Sequence, residues 1–137
     1  MALTYSSMLE LGTQMPNFEL ENTVNNEIFS SLYFNSTRPK LVMFICNHCP
    51  YVIHYHKELV KLSHDYKDHL DFVAISSNDI VNYPEDSPEK MKELAIELAF
   101  FFPYLYDETQ DFAKSFKAAC TPCLLYTSDA ADELRSV

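Results

Sequence analysis

Residues 41–45, Leu-Val-Met-Phe-Ile, form an unbroken apolar run between Lys40 and Cys46, and no other feature narrows the fold as much. A run this short, with no polar alternation, predicts a strand covered on both faces, as in a sheet with helices packed on either side. The next segment changes period. From Pro50 onward, Val52, Tyr55, Leu59, Leu62 and Tyr66 recur at steps of three and four, which predicts an amphipathic helix with those residues as its buried stripe. Residues 71–78, Asp-Phe-Val-Ala-Ile-Ser-Ser-Asn, predict a second buried strand. A second helix should begin with Ser87 as its N-cap and Pro88 in its first turn, burying Met91, Leu94 and Leu98. Residues 102–107 predict a third strand. Asp107, three residues before Gln110, forms a capping-box pattern for a short helix carrying Phe112 and Phe116. Strand and helix thus alternate three times, the order expected of an α/β fold with right-handed crossovers.

The chain has 137 residues, 47% of them apolar and 14% aromatic, enough for one domain with a real core. With 20 acidic and 10 basic residues its net charge is −10, which disfavours nucleic acid and anionic membranes as partners. The N-terminus lacks the cationic start and apolar run of a signal peptide, and no segment nears the roughly 20 apolar residues of a membrane span. The expectation is a cytoplasmic protein. Four cysteines in such a chain point to catalytic or metal-binding thiols more than to structural disulfides.

Cys46 falls where the first buried strand meets the first long helix. Free N–H groups and the positive end of the helix dipole favour a thiolate there. Cys49, one turn on, is placed to attack a mixed disulfide formed at Cys46, and His48 can add charge or a hydrogen bond that tunes the thiolate. Other readings exist. Cys120 and Cys123 form a second Cys-x-x-Cys, and two such pairs could in principle supply the four thiolates of a zinc cage. His54 and His56 could join the first pair on a metal, but residues two apart on a helix diverge by about 200°, so solvated helix histidines are the simpler expectation. His64 and His69, at the helix end, are given no chemistry. Glu85, Asp86 and Glu89 read as an acidic helix N-terminus.

Three segments resemble one family. "LELGTQMPNFEL", completed by "NNEIFSSL", resembles an N-terminal β-hairpin extension; "FICNHCPYV" resembles an active-site turn; and "FPYLYDETQDFAKSFKAACTP" resembles a later strand and helix ending in a Thr-Pro. Together they resemble the AhpC/TSA redoxin branch of the thioredoxin-like superfamily. That resemblance implies a thioredoxin-like α/β fold: an N-terminal β-hairpin, then a mostly parallel central sheet flanked by helices. It also implies Cys46 as nucleophile, Cys49 as resolving thiol and Cys120, Thr121 and Pro122 as an active-site wall, the proline being cis in this superfamily. The implied activity is thiol–disulfide exchange on a protein or small-molecule disulfide, with a cellular thiol as reductant and no cofactor or metal.

Two alternatives stand beside it: a thiol peroxidase acting on peroxide, and a metal-binding or copper-delivery module. Peroxiredoxins carry Pro-x-x-x-Thr-x-x-Cys; here Pro39 matches but Met43 takes the threonine position. Thioredoxin's Trp-Cys-Gly-Pro-Cys is also absent, since Ile45 precedes Cys46 and Asn47-His48 separates the cysteines.

The domain is expected to span residues 1–122. Residues 123–132, Cys-Leu-Leu-Tyr-Thr-Ser-Asp-Ala-Ala-Asp, resemble the translation of a transposase adapter used in short-read sequencing, so 123–137 are expected to be a non-native tail. The family's closing strands and helix are then expected to be missing. "CLLYT" is still apolar and strand-prone enough to dock where a strand should run.

Overall fold

The structure is a computed structural model that describes residues 15–34, 38–48, 50–115, 123–126 and 135–136. In chain order it contains β1 (Glu19–Asn22), β2 (Glu27–Ser30), β3 (Lys40–Phe44), α1 (Pro50–Tyr66), β4 (Asp71–Ser76), α2 (Pro88–Glu97), β5 (Tyr104–Tyr106), α3 (Asp111–Ser115), β6 (Cys123–Tyr126) and β7 (Arg135–Ser136). One-turn 3₁₀ segments lie at Ser31–Tyr33 and Pro84–Asp86. The strands form one sheet in the order β2-β1-β5-β4-β3-β6-β7.

The thioredoxin-like α/β fold and its N-terminal hairpin are present, but the expected mostly parallel sheet is mixed. Among the described residues, only β3 with β4 and β4 with β5 run parallel. The pairs β1–β2, β1–β5, β3–β6 and β6–β7 are antiparallel. The cause is the connections. Helical crossovers join β3, β4 and β5, whereas β1 and β2 form a tight hairpin, and tight hairpins give antiparallel neighbours. The hairpin turn closes with Asn26 N–H on the Asn22 carbonyl at 2.8 Å, and Asn26 takes a φ of 60°. Asn is among the few residues that accept that geometry at low cost.

The apolar run behaves as its composition predicts: every residue of β3 is buried, and its side chains feed two cores. On one face Leu41 and Met43 pack with Ile45, Val52, Leu59, Phe72, Met91 and Tyr104, beneath α1 and α2. On the other, Val42 and Phe44 meet Phe18, Leu20, Val73, Ile75, Leu105 and Leu125. There Phe18 packs against Phe29, Phe34 and Phe112 with ring centroids 5.9–6.3 Å apart.

Helix α1 forms where expected but buries a different stripe. Val52, His56, Leu59 and Ser63 face the core, while Tyr55, Leu62 and Tyr66 are exposed. The polar pair can be buried because each is satisfied: His56 Nε2 lies 3.3 Å from the Cys46 carbonyl oxygen, and Ser63 Oγ donates to the Val60 carbonyl at 2.7 Å. His56 is therefore not the solvated histidine expected from sequence, whereas His54 is exposed.

In α2 the Ser87 cap is present, its Oγ accepting from Lys90 N–H, with Met91 and Ala95 buried and Leu94 half-buried. The capping box before α3 does not close. Asp107 instead accepts from Ala113 N–H at 3.0 Å and Ser77 Oγ at 2.9 Å, while the Gln110 amide reaches the Ser77 carbonyl.

Residues expected to be a tail supply two strands. β6 pairs with β3, from Leu41 opposite Tyr126 to Phe44 opposite Cys123, and β7 pairs with β6. Leu125 is 1% exposed. The strand positions beyond β3 are thus filled, and α3 is the last helix among the described residues.

Candidate active site

The site lies at the carboxyl end of β3. Ile45 N–H donates to the Ile75 carbonyl at 3.0 Å, continuing the ladder one residue past β3, and Cys46 follows at the turn into α1. Cys46 is fully buried within the core under α1. Asn47 and His48 then turn the chain outward and are half-buried.

Asp86 holds this turn. Reached through the loop between β4 and α2, it is completely buried. Its Oδ1 accepts the Asn47 N–H at 2.7 Å and the His48 N–H at 3.2 Å. Its Oδ2 accepts the Asn78 side-chain amide at 2.9 Å and contacts His48 Nδ1. A buried carboxylate is tolerable only with such partners. The acidic cluster is therefore more than a helix N-terminus: Glu85 and Glu89 are exposed, and Asp86 belongs to the site.

Two further contacts fix the turn. Asn47 donates its side-chain amide to the Glu85 carbonyl at 2.8 Å and accepts from the Tyr104 hydroxyl at 2.9 Å. The His48 ring stacks on Tyr83, with centroids 4.1 Å apart and planes 9° from parallel.

The electrostatics follow from burial. Burial pushes the Tyr104 hydroxyl well above the ordinary phenol range, and negative charge at Cys46 and Asp86 adds to this, so Tyr104 remains a donor. His56, behind Cys46, is shifted down by burial, opposed by its bond to the Cys46 carbonyl. It is a neutral imidazole near pH 7, donating through Nε2.

Cys46 Sγ, a ring nitrogen of His48 and an Asp86 carboxylate oxygen lie within 4.8 Å of one another. The structure thus brings together two of the residues singled out from sequence, Cys46 and His48. Cys49, Cys120, Thr121 and Pro122 lie outside the described residues. Cys123 pairs with Phe44, two residues before Cys46. Sequence reasoning missed Asp86, Tyr104, Asn78 and His56. Only an acid just ahead of a Ser-Pro helix start hinted at the first. Beside the turn runs a groove of about 470 Å³, lined by Asn47, Pro84, Glu85, Lys90, Glu93, Leu94 and Glu97.

The sequence matches the AhpC/TSA family over residues 11–132. It is similar to an uncharacterized conserved protein from Geobacillus kaustophilus, with 48% identity and a TM-score of 0.90, covering 94% of this chain and 68% of that one. A hypothetical protein from Sinorhizobium meliloti 1021 has 35% identity and a TM-score of 0.89, covering 94% of this chain and 70% of that one. A thiol-disulfide oxidoreductase from Bacteroides fragilis NCTC 9343 shares the fold at 20% identity, with a TM-score of 0.70 and coverage of 90% of this chain and 89% of that one. A search of curated proteins returns no match.

Proposed function

Because the chain belongs to the AhpC/TSA family, we propose that it is a thiol–disulfide oxidoreductase working through the Cys46-Asn47-His48-Cys49 turn in the cytoplasm. One observation carries this reading. The strand-to-helix junction places the Cys46 sulfur within 4.8 Å of both His48 and Asp86, in a turn whose amides are tied down.

In the proposed cycle the Cys46 thiolate attacks one sulfur of a substrate disulfide, forming a mixed disulfide and expelling one substrate thiolate. The Cys49 thiolate then attacks Cys46 Sγ, closing a Cys46–Cys49 disulfide and releasing the second substrate thiol. The substrate gains two electrons and the pair loses two, and a cellular thiol returns them. His48, oriented by Asp86 and stacked on Tyr83, supplies a proton to the departing thiolate. The groove beside Asn47 carries three glutamates and one lysine, itself paired with Glu93 at 3.1 Å, and so suits a neutral or basic disulfide-bearing segment.

Peroxidase chemistry is the weaker reading. Met43, at the position of the peroxide-orienting threonine, is fully buried in the core and offers no hydroxyl.

The test is insulin reduction by the dithiol form, together with trapping by Cys49→Ser. Turnover in the unsubstituted chain and a stable mixed disulfide on Cys46 are expected. Peroxide consumption without disulfide exchange, or trapping that lands on another cysteine, would sink the proposal.

A further inference from the structure

We propose that Cys46, His48 and Asp86 form a zinc site, and that zinc bound there shuts off Cys46 as a nucleophile. The two segments that supply them, the turn after β3 and the 3₁₀ turn before α2, bring one thiol sulfur, one imidazole nitrogen and one carboxylate oxygen within 4.8 Å of one another. That is the three-ligand set of an open tetrahedral zinc site, whose fourth position is left to water or another ligand. A thiolate and an imidazole disfavour magnesium and calcium, which take oxygen ligands.

Ligand atoms around tetrahedral zinc stand about 3.4–3.6 Å apart. The three ligand atoms already lie within 4.8 Å of one another, so side-chain adjustments on the order of 1 Å bring them to those separations. Much of the support is already built. Asp86 Oδ1 stays on the Asn47 and His48 amides, Asn78 steadies Oδ2, and Tyr83 fixes the plane of the His48 ring. Such outer contacts are what orient metal ligands.

The exchange balances without electron transfer. Zinc replaces the hydrogen between His48 Nδ1 and Asp86 Oδ2, one proton stays on His48 Nε2, and the other proton shared by the Cys46–His48 pair passes to solvent. The sulfur lone pair that would attack a disulfide is then committed to the metal.

The inference goes beyond the proposed activity, and metal uptake is read without it. Reduced full-length chain is titrated with cobalt(II) as a spectroscopic stand-in and then with zinc. One equivalent should bind, giving sulfur-to-cobalt charge-transfer absorption and tetrahedral ligand-field bands that zinc abolishes. Zinc-edge X-ray absorption on the unsubstituted protein should show one sulfur with nitrogen and oxygen ligands. Asp86→Asn and His48→Ala should each weaken binding at least tenfold, and Cys49→Ser should leave it in place. Two sulfurs at the metal, or binding lost in Cys49→Ser and kept in Asp86→Asn, overturns the proposal in favour of a dithiolate chelate. No uptake of either metal overturns it outright and leaves the exchange reading intact. Uptake by a protein that cannot reduce insulin sinks only the exchange reading. If circular dichroism shows that Asp86→Asn does not fold, the sulfur count on the unsubstituted chain decides.

Discussion

Replacing Asp86 by alanine removes the acceptor for the Asn47 amide, the His48 amide, His48 Nδ1 and the Asn78 side chain at once. Each orphaned donor forfeits a hydrogen bond to a charged group, worth about 1.5–3 kcal/mol where water cannot replace it. His48, Asn47 and Asn78 are only half-buried, so water recovers part of this. The expected cost is about 3–5 kcal/mol, the range found on breaking a buried charge network. Asp86→Asn is the informative contrast. Its amide oxygen can keep both backbone donors, while its NH₂ group meets the Asn78 amide and His48 Nδ1 as donor against donor until Asn78 turns over and the imidazole changes tautomer. Two charged hydrogen bonds become neutral ones, and the cost should be about 1–3 kcal/mol. Urea unfolding of the reduced protein, followed by circular dichroism, gives both values. Equal costs for alanine and asparagine, or a cost below about 1 kcal/mol for alanine, would refute the view that the carboxylate holds the turn through these bonds.

Two further outcomes follow from burial. His56 titrates below its unfolded value of 6.5, so its contribution to stability is full above about pH 6.5 and is lost as the pH falls from there through the lowered folded value. His56→Gln should flatten that part of the stability-against-pH curve, and an unchanged slope would count against a buried neutral His56. Leu125→Ala empties a fully buried position beside β3 and should cost about 2–4 kcal/mol in the same urea assay, whereas a neutral result would mean that β6 adds nothing to the core.

The position of Cys46 at the end of a buried strand was legible because it depends on local sequence: an apolar run, a cysteine, then a helix. The groups around it were not. Asp86 lies 38 residues from His48, and only the loop between β4 and α2 brings them together. In sequence its charge could not be told from those of Glu85 and Glu89, which stay in water. His56 was hidden for a different reason. A period of three and four fixes that a helix is amphipathic, but Tyr55, Leu62 and Tyr66 compete with His56 and Ser63 for its inner face. Tyrosine hydroxyls are satisfied by water, whereas His56 and Ser63 found backbone carbonyls inside. The sheet was misread at its flanks because composition reports burial and says little about the direction of a neighbouring strand.

Tyr104 joins parts of the molecule that have no sequence in common. Its carbonyl receives both the Thr23 amide at 3.0 Å and the Thr23 hydroxyl at 2.8 Å, while its own hydroxyl donates to Asn47. The hairpin turn and the cysteine turn are therefore pinned to a single rivet on a three-residue strand. A Tyr104→Phe chain would keep the hairpin fastened and free only the cysteine side, which makes that hydroxyl a one-atom handle for loosening the cysteine turn without touching any residue in it.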